Sequence, residues 1–177
     1  MHMESLEDIK RILSEERPAP WNALPDIDLY MDQVLGYMHR QLDSHMEPNI
    51  SAAMINNYIR EGLLPRTKGK KYNRGHLARL TTICVMKQVL QVGDISLLFQ
   101  MFPSDIIEQI YEEYREVLDS ELTSVAEGIP DDDETLVLAD AIVRFAVASY
   151  ANKAAAELLI GMVKENNSKE KNKGAKK

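Results

Sequence analysis

The chain has 177 residues, of which 45% are hydrophobic and 28% charged, with a formal net charge of −7 and one cysteine, Cys84. That size suits one substantial domain or two small ones, and a lone cysteine excludes an intrachain disulfide and a cysteine-cluster zinc site. No apolar run approaches the ~20 residues that span a bilayer, and the polar, acidic stretch after Met1 is unlike a signal peptide, so the expected location is cytoplasmic with no membrane partner.

Charge is unevenly spread. Between Arg60 and Lys87 there are eight basic residues against the single acid Glu61, a local charge of +7. The lysine-rich tail from Lys164 to Lys177 carries +4, which leaves −18 for the remainder. An acidic chain with one concentrated basic segment has a candidate face for an anionic partner.

In chain order, Ser5-Leu6-Glu7-Asp8 opens a short helix that stops near Arg17-Pro18. Pro18, Pro20 and Pro25 then bracket Trp21 in an extended linker. Asp26 or Asp28 is expected to cap a helix running to about Asp43, with Ile27, Tyr30, Met31, Val34, Leu35, Met38 and Leu42 on its inner stripe. A turn at 44–49 follows. Ser51 caps a short helix that ends where Gly62 offers a left-handed stop and Pro65 forbids continuation.

Residues 66–73 read as a tight basic hairpin with Gly69 at its tip. A helix from Arg74 or Gly75 to about Val92 is expected to turn Leu77, Leu80, Ile83, Cys84, Met86, Val89 and Leu90 inward. Gly93 is expected to break it, and Asp94 to cap the next short helix. Pro103-Ser104-Asp105 restarts the chain into a helix with Ile106, Ile107, Ile110, Tyr111 and Tyr114 on it. The last helix, about 133–164, is apolar on most sides and should be buried, within one chain or between two.

The fold class expected is therefore all-α or nearly so. Residues 1–26 form an N-terminal helical arm and Pro-rich linker. Residues 27–101 form a helix-turn-helix domain, 104–165 a helical dimerisation or effector domain, and 166–177 a disordered basic tail.

Advancing 100° per residue from Ile55 places Ala52, Tyr58 and Ile59 on the inner side of the 51–61 helix. Ala53, Asn56, Asn57 and Arg60 fall outward. Asn pairs bidentately with adenine, Arg with guanine or phosphate, and Ala meets a thymine methyl, so this face suits a major groove. Ser51 and the free amides of the helix N-terminus suit a phosphate. Arg66, Lys68, Lys70, Lys71, Tyr72 and Arg74 suit a phosphate track that positions the reader without specifying sequence. For Tyr72 the competing role is packing against the next helix.

The segment Ser51, Ile55, Tyr58, then Glu61-Gly62-Leu63-Leu64-Pro65, followed by Tyr72, Leu77 and Leu80, resembles the recognition helix, helix exit and wing of MerR-family regulators. The whole chain is more similar still to an uncharacterised family of Gram-positive bacterial proteins, a domain of unknown function with a MerR-like winged helix-turn-helix and a short β wing. That resemblance implies a transcriptional regulator with double-stranded DNA as partner; the apolar C-terminal helices are expected to pair two copies into a homodimer. It implies no known effector. Asn56 stands where MerR proteins usually carry Arg, and Asn57 where an aromatic is common. The alternatives are a protein-interaction adaptor or a small-ligand sensor built on the same scaffold.

No catalytic constellation or cofactor motif is visible. His2, His39, His45 and His76 lack metal-ligand spacing, and Asp131-Asp132-Asp133-Glu134 reads as a helix cap rather than a calcium loop.

Overall fold

The computed structural model describes residues 5–41 and 50–174, the last five by their backbone alone. The chain divides into two compact units, 1–131 and 132–177. Among the described residues the first holds six helices, α1 (Leu6–Glu15), α2 (Met31–Gln41), α3 (Ala52–Arg60), α4 (Arg74–Met86), α5 (Val92–Met101) and α6 (Ile107–Glu127), with single 3₁₀ turns at Trp21–Ala23 and Ser104–Ile106. The second is one helix, α7 (Thr135–Gly174). Among the described residues the extended pairing is limited to two isolated antiparallel bridges, Leu29 with Tyr72 and Lys68 with Lys71. The molecule is all-α but for these.

The first unit is organised around α4. Its Leu77, Leu80, Ile83 and Cys84 join Val34 and Met38 of α2, Ile55 and Tyr58 of α3, Leu63, Leu64 and Ile95 in the main core. Its other side is buried too: Ala78 packs with Leu24 and Tyr111 in a second cluster under α6. An amphipathic stripe is therefore the wrong description of α4, since helices cover it on both sides. Thr81 and Thr82 are buried because their hydroxyls donate to Leu77 O (3.0 Å) and Ala78 O (3.1 Å), which satisfies them without a polar face.

The helix ends nearer its start than expected. Lys87–Leu90 form turns, α5 begins at Val92, and Gly93 lies inside α5 rather than breaking α4. Val89, expected inward, is exposed.

The start of α2 also differs. Residues 27–30 are not helical, with Ile27 and Tyr30 exposed. Their backbone is committed elsewhere: Leu29 N–H donates to Tyr72 O (2.9 Å), and Leu29 O accepts in return from Tyr72 N–H (2.8 Å). Helix begins only when Tyr30 becomes the cap, with Gln33 Oε1 accepting from its N–H at 2.9 Å. Leu42 and the expected turn at 44–49 lie outside the described residues.

The expected boundary at 101–104 is crossed by packing. Tyr111 of α6 is buried and donates its hydroxyl to Ala19 O in the Pro-rich linker (2.8 Å), and Arg115 donates to Pro18 O (3.0 Å). Burial pushes the Tyr111 phenol up to about 12, so it stays a neutral donor. The N-terminal arm lies along α6: Arg17 pairs with Asp119 and donates to Thr123 Oγ1 (3.1 Å), and Lys10 pairs with Asp131. Arm, linker, core helices and α6 thus form one unit.

Helix α7 runs past the expected end at residue 164 to Gly174, so 166–174 is helical where a disordered tail was expected. Asp132 Oδ1 accepts from Glu134 N–H (2.9 Å) just before it begins. Its apolar residues were expected to be buried within one chain or between two, and within this one chain they are not. Instead Leu136, Ile142, Val143, Val147, Tyr150, Leu158, Leu159 and Met162 are 60–75% exposed. Contrary to the reading of apolar runs above, the 135–169 stretch is long and apolar enough to cross a membrane by length and composition. Its charges hide this from a simple run count, because Asp140–Arg144 and Lys153–Glu157 interrupt it as i,i+4 pairs.

Candidate nucleic-acid interface

Helix α3 is short because both ends are fixed. Ser51 Oγ accepts from Met54 N–H at 3.3 Å, a standard N-cap. At the exit Gly62 takes φ +76°. Leu63 N–H donates to Tyr58 O (2.8 Å) and Gly62 N–H to Ile59 O (3.2 Å). These two bonds make a Schellman motif, which needs a residue tolerant of the left-handed region at Gly62. The turn drives Leu63 and Leu64 into the core, both at most 1% exposed.

Ile55 and Tyr58 anchor the inner face of α3, while Ala53, Asn56, Asn57 and Arg60 stand exposed on the other, as does Ser51 before them. Arg60 meets Glu61 at 3.9 Å, with both side chains more than half exposed. Such a pair is worth little and leaves the guanidinium free to exchange partners.

The basic loop is a two-residue hairpin turn. Lys71 N–H donates to Lys68 O (3.2 Å), and Gly69 and Lys70 take φ +60° and +61°. Two successive positive φ values match the right-handed twist of the flanking chain. Arg66, Lys68, Lys70 and Lys71 are exposed there, and Lys71 Nζ lies 5.5 Å from the centre of the Tyr30 ring.

Two of the residues expected to meet phosphate are placed otherwise. Tyr72 is 4% exposed. It is held by its bridge to Leu29 and packs edge-on to His76 at 5.6 Å, so packing is its role and little of it reaches solvent. Arg74 is half-buried, its guanidinium 5.7 Å from the Trp21 ring.

Residues that sequence reasoning passed over complete the site. Arg66, Lys68 and Lys71 share a cleft of about 340 Å³ with Arg79, Gly75 and Asp28. Arg79 lies on the leucine-rich helix, and its apolar neighbours masked it. Its guanidinium sits 4.9 Å from the Phe99 ring, and burial lowers its pKa.

His76, also on the cleft wall, is 5% exposed and closes a capping box at the start of α4. Its Nδ1 accepts from Asn73 N–H (3.2 Å) and its Nε2–H donates to Pro65 O (3.3 Å), which ties the helix exit to the start of α4.

Burial is the main force lowering the His76 pKa below 6.5; Arg79 adds to it, while the bond to Pro65 and the charge of Asp28 oppose it. The unfolded chain therefore binds the proton first. Stability is fully present above about pH 6.5 and is lost as pH falls towards the folded-state value, by at most about 1.4 kcal/mol per pH unit for one proton. Urea unfolding between about pH 7.5 and about pH 5.5 checks this, and His76→Gln is expected to remove that part of the dependence.

Residues 19–119 match a family described as a domain of unknown function, DUF1836. The chain belongs to this family. No curated protein and no solved structure matches it. The family segment runs from the Pro-rich linker into α6 and so contains α3, the basic hairpin and the cleft; α1 and α7 lie outside it.

Within the family segment Cys84 is buried and its thiol is pushed up to about 11, chiefly by burial. A thiol so held stays protonated and acts as packing.

Proposed function

We propose that this member of the family is a DNA-binding transcriptional regulator. The observation that carries the reading is the division of α3: Ile55 and Tyr58 fix it to the core, and Ala53, Asn56, Asn57 and Arg60 are presented to solvent beside an acid-free hairpin. In this reading α2 and α3 form a MerR-like helix-turn-helix and the 66–71 hairpin its wing. Asn56, Asn57 and Arg60 read base edges. Ser51 with the α3 amino end, and Arg66, Lys68, Lys70 and Lys71, hold the backbone.

Two copies pair through α7, which would set two reading helices about one DNA turn apart. Its exposed apolar residues supply the contact area. The Asp140–Arg144 and Lys153–Glu157 pairs would be costly in hydrocarbon, which favours a second copy over lipid as the cover.

Selection of genomic fragments by the purified protein at physiological salt tests the reading. Enrichment of a common sequence is expected, and recovery matching input would reject it. The double variant Lys70→Gln/Lys71→Gln is expected to weaken binding to all duplexes alike. It should also flatten the salt dependence by about 0.9 in log–log slope per lost contact. Unchanged affinity and slope would remove the hairpin from the interface.

A further inference from the structure

The cleft beside α4 has a composition that the groove-reading role leaves unexplained. Four cations, Arg66, Lys68, Lys71 and Arg79, face it against one carboxylate, Asp28. None of the four forms an ion pair among the described residues.

For the exposed three this costs nothing. Arg79 is different: it is half-buried on a core helix, and burial disfavours its charge. A guanidinium partly shielded from water and without a carboxylate partner gains from an anion beside it. The Phe99 ring lies 4.9 Å from its carbon centre and supports the cation on that side. Gly75 brings a first-turn amide of α4 to the same cleft, where no intrahelical acceptor exists for it. The volume of about 340 Å³ equals roughly ten waters at about 30 Å³ each, enough for a phosphate group and its remaining hydration.

We propose that this cleft is a binding site for a phosphate oxyanion, with Arg79 as its inner cation and Arg66, Lys68 and Lys71 closing over it. A fork of guanidinium donors suits the oxygens of a phosphate. The anion comes either from the DNA backbone or from a free phosphate compound. The first case rests on the function proposed above; the second stands apart from it.

The test uses the full chain. Pyrophosphate is titrated while the Gly75 and His76 amide resonances are followed, and duplex DNA is titrated at several salt concentrations. The proteins are wild type, Arg79→Gln and Arg79→Lys, with Val89→Ala, exposed and outside the cleft, as the control. Saturable shifts in wild type, weakened at least about tenfold in Arg79→Gln, weakened less in Arg79→Lys and retained in Val89→Ala, support the site with a free phosphate as ligand.

Absence of pyrophosphate binding, together with a similar loss of duplex affinity in Arg79→Gln and a salt slope flatter by about 0.9, supports it with the DNA backbone as source. No pyrophosphate binding and no effect of Arg79→Gln on duplex binding overturns the site while leaving the regulator reading intact. Pyrophosphate binding by a wild type that binds no duplex rejects the regulator reading and keeps the cleft. If Arg79→Gln does not fold, Arg66→Gln, on the exposed rim, takes its place in both arms.

Discussion

A chain ending at Asp131 is expected to stay folded, to become monomeric, and to bind a duplex with two half-sites about 10²- to 10⁴-fold more weakly than the full chain. The magnitude is the avidity lost when the second binding event ceases to be intramolecular. The expectation of folding follows from the packing. Both buried clusters draw on helices that precede residue 131, and α1 closes on α6 through Arg17–Asp119.

The expectation of a monomer follows from α7. Eight large apolar side chains more than half exposed on one helix form a surface that soluble monomers rarely leave uncovered. Sedimentation velocity of both chains, followed by duplex titration, measures the two effects. A full-length chain that sediments as a monomer at working concentrations rejects α7 as the pairing element. Equal affinity of a dimeric full chain and the truncated chain would show that pairing does not place two readers on one duplex.

Leu63→Ala is expected to lower stability by about 2–5 kcal/mol, out of the ~5–15 kcal/mol typical of a domain. Leu63 is fully buried, and its N–H closes the α3 exit. Truncation would open a cavity where α2, α3 and α4 meet. The loss should appear in urea unfolding as a lower midpoint with unchanged slope, and any fall in DNA affinity should match the fraction unfolded. Leu136→Ala, on exposed α7, is the comparison and should shift the first unit's midpoint by less than about 0.5 kcal/mol. A cost below about 1 kcal/mol for Leu63→Ala would mean that the E-G-L-L-P exit is not anchored as described.

The parts of the fold legible in sequence are those decided locally. Ser51, Gly62 and Pro65 bound α3 because a hydroxyl cap, a left-handed residue and a missing amide act within one turn of the chain. Gly69 marks the hairpin for the same reason, and the projection of α3 separates its faces because the core lies on one side only.

The features that were missed are decided at long range. Ile27 and Tyr30 continue the periodicity of α2, yet Leu29 is claimed by Tyr72, 43 residues away. The all-round burial of α4 depends on α6 arriving over Ala78. Tyr111 belongs with the first unit because its hydroxyl finds a carbonyl in the Pro-rich linker. In α7 the apolar composition was plain, but composition cannot say whether a cover comes from the same chain. At the candidate site, Asn56, Asn57 and Arg60 were found by projection. Of the two roles open to Tyr72 its burial supports packing, and Arg79 was hidden because a lone cation among leucines looks like a boundary residue.

The paired backbone bonds between Leu29 and Tyr72 divide labour within the hairpin. Its base is braced to the chain entering α2, and its ring is wedged against the His76 cap. Its tip, by contrast, is Gly69 and Lys70, both at positive φ, flanked by the exposed Lys68 and Lys71. Charge at the tip is therefore mechanically insulated from the spacing between hairpin and α3. Relatives can gain or lose lysines at 68, 70 and 71, and so tune how tightly any polyanion is held, without re-registering the helix beside them. A substitution at Leu29 or Tyr72 would do the reverse, leaving the charges in place and shifting the ruler on which they are mounted.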